Sequence, residues 1–106
     1  MHPIVTARRD AIAELCRRFH VRRLEVFGSA ARGEDFDPQR SDADFLVEFE
    51  SDTPPTIGLL LDLEVALADT LGRSVDLAER KAIEEGGNYL RRRRIMEEAE
   101  PVYVAG

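Results

Sequence analysis

One cysteine, Cys16, is the entire thiol content of this 106-residue chain. An internal disulfide is therefore excluded, and a reducing compartment is expected. No apolar run approaches the roughly 20 residues that a membrane span requires. The N-terminal stretch MHPIVTARRD has neither the apolar core nor the small-residue cleavage site of a secretory signal. Internal repeats and low-complexity segments are also missing. These absences together predict a cytoplasmic protein with no membrane association. Basic charge is in deficit: 15 Lys and Arg face 21 Asp and Glu, for a formal net charge of −6. A general nucleic-acid binder is usually basic, so direct DNA or RNA binding is not expected. What basic charge exists is bunched at Arg8-Arg9, Arg17-Arg18, Arg22-Arg23 and Arg91 to Arg94, which leaves room for a local patch facing an acidic partner or a triphosphate.

What is present suits one small folded domain over residues 1–106. Hydrophobic residues make up 43% and charged residues 34%, a balance typical of globular chains. Periodicity predicts a helix over 4–19, with Ile12, Leu15, Cys16 and Phe19 on its apolar side. Cys16 reads as a small buried residue rather than a catalytic thiol. A strand is predicted over 23–28, a single helical turn from Ser29 to Arg32 that stops at Gly33, and a polar loop over 34–41 containing Pro38. A second strand over 43–49 sends Phe45, Val47 and Phe49 to one face, and Asp42, Asp44, Leu46 and Glu48 to the other. Pro54-Pro55 breaks the chain. A helix over 56–71 buries Leu60, Leu63, Leu67 and Leu71 and ends at Gly72. Leu59, Leu61 and Val65 read as a broadening of its core face, with a contact surface for another chain as the sharper alternative. A third strand over 74–78 carries Asp76. Asn88 caps a helix over 89–99, Pro101 stops it, and 102–104 form an edge strand. The fold class is α/β (α+β): a small mixed sheet flanked by helices.

The chemistry lies in VFGSAARGEDFDPQRSDADFLVEF. A small-residue turn, Gly28-Ser29, follows the first strand, and two carboxylates open the next. Gly28 lets the backbone approach phosphate closely, and Ser29 adds a hydroxyl and starts a helical turn whose N–H groups face an anion. Arg32 reads equally as a triphosphate contact and as a surface residue. Asp42 and Asp44 are two apart on a strand, so their carboxylates share a side. Aspartate is disfavoured inside strands, and Asp76 is a third in such a position. Two like charges at 4 Å cost about 4 kcal/mol at an effective dielectric near 20. A divalent cation reverses that sign, and oxygen-only ligands beside substrate phosphates suit Mg²⁺. The ordered set predicts a nucleoside triphosphate held through metal and attacked at its α-phosphorus. Asp76 either shares a second ion or acts as general base. The remaining candidates read blandly: Arg91 to Arg94 as a helix run in which one or two meet a partner or phosphate and the rest form a solvated face, His2 and His20 as surface residues, Tyr89 and Tyr103 as core or edge packing.

The run GSAARG…SDADFLVEF, followed by VDL, resembles the minimal nucleotidyltransferase (MNT) family of the polymerase-β-like nucleotidyltransferase superfamily. The resemblance extends over nearly the whole chain and implies the nucleotidyltransferase fold. It implies Gly28 and Ser29 as the phosphate-binding pair, Asp42 and Asp44 as metal ligands, Asp76 as the third carboxylate, and two Mg²⁺ ions with ATP as substrate. Stand-alone members are antitoxins that transfer AMP to a tyrosine of a HEPN-domain toxin, so a HEPN partner is implied. At this length no acceptor-binding domain is expected. The alternatives are a small-molecule or RNA-end acceptor, and an antitoxin that acts by binding alone. The spacer from Ser29 to Asp42 exceeds the family pattern by about two residues, an excess expected to bulge around Phe36 to Gln39 at small cost.

Overall fold

The computed structural model describes residues 1–32 and 42–105. The chain runs α1 (Pro3–Thr6), α2 (Arg9–Arg18), β1 (Val21–Phe27), α3 (Gly28–Arg32), β2 (Ala43–Phe49), α4 (Ile57–Leu71), β3 (Val75–Glu79), α5 (Arg80–Glu84), α6 (Tyr89–Glu98) and β4 (Glu100–Val104). The strands form one mixed sheet in the order β3-β2-β1-β4. β1 pairs antiparallel with both β2 and β4, while β2 and β3 run parallel. The expected mixed sheet with flanking helices is the observed architecture. The predicted stop at Gly33, the 34–41 loop and the bulge around Phe36 to Gln39 lie outside the described residues.

Strand parity divides the sheet into two faces. Leu24 and Val26 of β1 lie beside Val47 and Phe45 of β2, and all four are fully buried. Ile12 and Cys16 of α2 and Leu63 and Leu67 of α4 pack into the same core. Each such side chain contributes about 1.5–3 kcal/mol on burial. Burial also pushes the Cys16 thiol up to about 12, so it stays protonated and inert, in line with the sequence reading. The opposite face carries Glu25, Phe27, Asp44, Leu46 and Asp76. α5 packs there on β2 and β3, and α6 packs on β1 and α3.

The β2–α4–β3 unit follows its sequence closely. Thr56 caps α4 by accepting from the Leu59 N–H at 3.1 Å. Gly72 ends the helix with φ +65°, the left-handed conformation that a C-terminal glycine supplies without strain. Leu59 does join the core margin, but Leu61 and Val65 do not. They are 53% and 60% exposed and, with Ile57 at 78%, form an outward apolar stripe along α4. The broad core face expected there is narrower than the sequence implied. Among the described residues no helix is long and apolar enough to cross a membrane.

Other departures have local causes. The single helix expected over 4–19 is two helices. α1 is tied to α3 by the His2 N–H donating to the Ala30 carbonyl at 2.7 Å. α2 is tied to β4 by the Arg9 guanidinium donating to the Pro101 carbonyl at 3.2 Å. The two attachments tie the helices to different elements, and the chain turns between them at Ala7 and Arg8. His2 is no simple surface residue, because its Nδ1 caps α1 by accepting from the Ile4 N–H. His20 is exposed, as expected. α5 was not anticipated; Glu79 caps it by accepting from the Ala82 N–H at 2.8 Å. Pro101 lies inside β4 rather than before it, a position that an edge strand tolerates because no ladder donor is needed on its outer side.

Candidate active site

Three strand ends meet on the α6 side of the sheet. Phe27 closes β1 beside Asp44 near the start of β2, and Asp44 lies in register with Asp76 of β3. Partners in a parallel pair send their side chains to the same face. The register therefore puts Asp76 on the side of the sheet that the parity of β2 assigns to Asp42 and Asp44. Asp42 is exposed just ahead of β2. No local pattern in the sequence encodes that cross-strand register.

The turn after β1 closes over these acids. Gly28 adopts φ +68°, a region that costs other residues roughly 1–2 kcal/mol. A Cβ at this position would lie 2.8 Å from Asp44 Oδ2. Glycine is thus required by conformation, and a side chain here would push the Asp44 carboxylate aside. Gly28→Ala is expected to lose about 1–2 kcal/mol of stability from the backbone conformation alone, and to displace the Asp44 carboxylate as well. Urea denaturation checks the first effect and the affinity for Mg²⁺-ATP the second; an unchanged denaturation midpoint would contradict the strain argument.

Beside the turn is a cavity of about 380 Å³. Phe27, Gly28, Ser29 and Arg32 line it from β1 and α3, and Asp44 and Asp76 line it from the sheet. Arg91, Arg94, Ile95 and Glu98 line it from α6. Asp42 stands outside this lining but within electrostatic reach of Asp44. The Asp44 carboxyl is pushed up to about 6, first by burial, then by the charges of Asp76 and Asp42, with Arg91 opposing. Among the described residues no three His, Cys, Asp or Glu side chains converge closely enough to chelate an ion by themselves. The donor set is nonetheless one that suits a hard divalent cation: carboxylate oxygens that repel one another, beside a space large enough for phosphate oxygens to complete the coordination.

The cavity brings together Gly28, Ser29, Arg32, Asp44 and Asp76, five of the six residues singled out from the sequence. Arg32 faces the cavity and pairs with Glu98 at 2.9 Å. The sequence reading allowed one or two of Arg91 to Arg94 a phosphate or partner contact without saying which, and the cavity takes Arg91 and Arg94. The signal was their i, i+3 spacing, continued by Ile95 and Glu98 on one side of α6. Of the other two arginines, Arg93 pairs with Glu97 as a solvated face expects, whereas Arg92 is only partly exposed, lying over the Tyr89 ring at 5.3 Å and donating to the Glu84 carbonyl at 2.9 Å. Tyr89 itself is 57% exposed, against the expectation that it packs. Tyr103 does pack against the core margin from β4.

Comparison with known proteins places this geometry in context. The chain is 41% identical over 73 residues to the protein adenylyltransferase MntA of Thermococcus cleftensis, a match spanning 69% of this chain and 70% of that protein. A solved structure assigned as a minimal nucleotidyltransferase superposes with a TM-score of 0.71 at 36% identity, covering 95% of this chain and 96% of the other. The MNT antitoxin complex with the tri-AMPylated HEPN toxin of Shewanella oneidensis matches with a TM-score of 0.63 over 95% of this chain and 73% of that one. At 19% identity that likeness is one of fold alone. Residues 8–102 match the nucleotidyltransferase domain family, and with a match of that extent the chain belongs to it.

Proposed function

We propose that this nucleotidyltransferase moves AMP from ATP to a tyrosine hydroxyl on a HEPN-domain toxin, and so serves as its antitoxin in the cytoplasm. The observation that carries the reading is the Asp44–Asp76 pair in register beside Gly28, at the floor of a cavity of nucleotide-phosphate size. The name of the Thermococcus relative supports protein adenylylation over other acceptors.

The roles follow from the side chains. Gly28 and Ser29 receive the β- and γ-phosphates, Gly28 by the absence of a side chain and Ser29 by its hydroxyl. Arg32 adds a charge-assisted contact to the same phosphates. Asp42 and Asp44 are the residues that would hold Mg²⁺, and Asp76 would supply a further carboxylate for a second ion. When bound, Mg²⁺ neutralises carboxylate and phosphate charge and favours a metal-assisted displacement. The tyrosine oxygen attacks the α-phosphorus and forms a new O–P bond. The bond to the bridging oxygen breaks, and pyrophosphate leaves with the electron pair. The hydroxyl proton passes to a carboxylate oxygen of Asp76, which acts as general base.

The test is incubation with α-labelled ATP, Mg²⁺ and the protein encoded beside this one. Label on that protein, absent when both Asp42→Ala and Asp44→Ala are introduced, is the expected result. Label on RNA or on a small molecule would overturn the choice of acceptor. Tight binding with no label, and toxin protection unchanged in the double variant, would replace transfer by neutralisation through contact.

A further inference from the structure

Glu98 is an acid on the phosphate side of the cavity, where an anionic substrate gains nothing from it directly. It lines the cavity near the last turn of α6. Its Oε1 forms an ion pair with Arg32 Nη1 at 2.9 Å and accepts from Arg94 Nε at 3.3 Å. The two arginines come from different elements, α3 and α6, and both line the same cavity as Gly28 and Ser29. Glu98 is the most enclosed of the three: its side chain is 23% exposed, against 38% for Arg32 and 74% for Arg94. One carboxylate oxygen thus gathers two guanidinium groups at the place where the transfer reading puts phosphate.

Carboxylate and phosphate oxygens are alternative partners for the same guanidinium donors. We infer that Glu98 is an internal stand-in for phosphate: it holds Arg32 and Arg94 in the nucleotide-free protein and gives them up to the polyphosphate of ATP. This inference rests on the nucleotidyl-transfer reading and adds an affinity-setting residue to it. Glu98 lowers affinity in two ways. It occupies the donors, and its charge opposes an incoming anion. Both effects are modest, because the pairs are partly solvated and exposed ion pairs are weak. A polyphosphate can therefore displace it.

The experiment is calorimetric titration of the full chain with ATP and Mg²⁺, using wild type, Glu98→Gln and Glu97→Gln. Glu97 pairs with Arg93, and both side chains are more than 60% exposed. Its neutralisation changes net charge equally without touching the cavity. Glu98→Gln is expected to bind about two- to fivefold tighter, the scale of one partly exposed ion pair, while Glu97→Gln matches wild type. Weaker or unchanged binding in Glu98→Gln would overturn the inference, since a carboxylate that merely positions the arginines should be missed when lost. An equal gain in Glu97→Gln would overturn it too, by reducing the effect to net charge. Should Glu98→Gln lose its circular dichroism signal, Arg94→Gln replaces it; the inference then requires weaker ATP binding, and unchanged binding overturns it. Wild type that takes up no ATP at all would defeat the transfer reading itself, whereas ATP bound equally by wild type and Glu98→Gln defeats only the role of Glu98.

Discussion

Asp44→Asn is expected to lower AMP transfer by about 10³-fold or more, a loss of roughly 4 kcal/mol of transition-state stabilisation, and yet to make the nucleotide-free protein more stable at pH 7. The two effects share one cause. Asp44 sits half-buried between Asp42 and Asp76, and its carboxyl is raised from the usual 3.8 to about 6 by burial and by those two charges. In the folded state the ionised form is therefore disfavoured. Between about pH 4 and pH 6 the folded protein binds more protons at this residue than the unfolded chain does. Its contribution to stability consequently falls as pH rises through that window, and stays low above it. Solvent screens a half-buried group, so the amount is about 1 kcal/mol rather than the full linkage value. The neutral amide removes the penalty and also removes the carboxylate proposed to hold Mg²⁺. Thermal melts without Mg²⁺ should show Asp44→Asn melting above wild type at pH 7 and level with it near pH 4. A variant that melts lower at pH 7 would contradict the electrostatic account. Transfer close to the wild-type rate would contradict the assignment of Asp44.

Arg80→Ala is expected to cost about 3 kcal/mol, the low end for breaking a buried ion pair from one side. Among the described residues Glu25 is the one buried charged side chain, at 4% exposure. The Arg80 guanidinium pairs with its Oε1 from the first residue of α5 and also holds Glu84 at 2.8 Å. Arg23 is the other partner of Glu25: its Nη2 donates to Oε2 over a long 3.4 Å, while its Nε, 3.4 Å from Oε1, makes no hydrogen bond. Removing Arg80 leaves a buried carboxylate with a poor partner. Replacing Glu25 and Arg80 together by leucine removes both charges, and should restore much of the loss. Urea denaturation of the single and double variants measures this. A double variant no more stable than Arg80→Ala would show that packing of the arginine stem, and not its charge, holds α5 to the sheet. The pair matters to the site because α5 follows directly on the strand that carries Asp76.

The contrast between Glu25 and Asp44 shows what the chain declares by itself. Strand parity put both on the face away from the main core. Which charged residues on that face would be solvated, paired or gathered into a site depends on what covers it. The cover is α5 and α6. α5 is only five residues long, too short for a helical period to appear, so neither the helix nor the burial of Glu25 was legible. β2 and α4 were legible because a two-residue alternation, a threonine cap and a terminal glycine all agree there. Gly28-Ser29 and the three aspartates were readable as a set, though their convergence rests on the Asp44–Asp76 register. Arg91 and Arg94 were visible as charges but became part of the cavity only through the docking of α6. The split between α1 and α2 was hidden for the same reason, since its causes are bonds to Ala30 and Pro101, far away in sequence.

The most direct measurement is equilibrium binding of ATP to Asp42→Asn, Asp44→Asn and Asp76→Asn, each with Mg²⁺ and again with a chelator. The account predicts that Mg²⁺ tightens binding to wild type by about tenfold or more, and that each substitution removes most of that gain. An Asp76→Asn protein that keeps the full Mg²⁺-dependent gain and transfers AMP at the wild-type rate would contradict it.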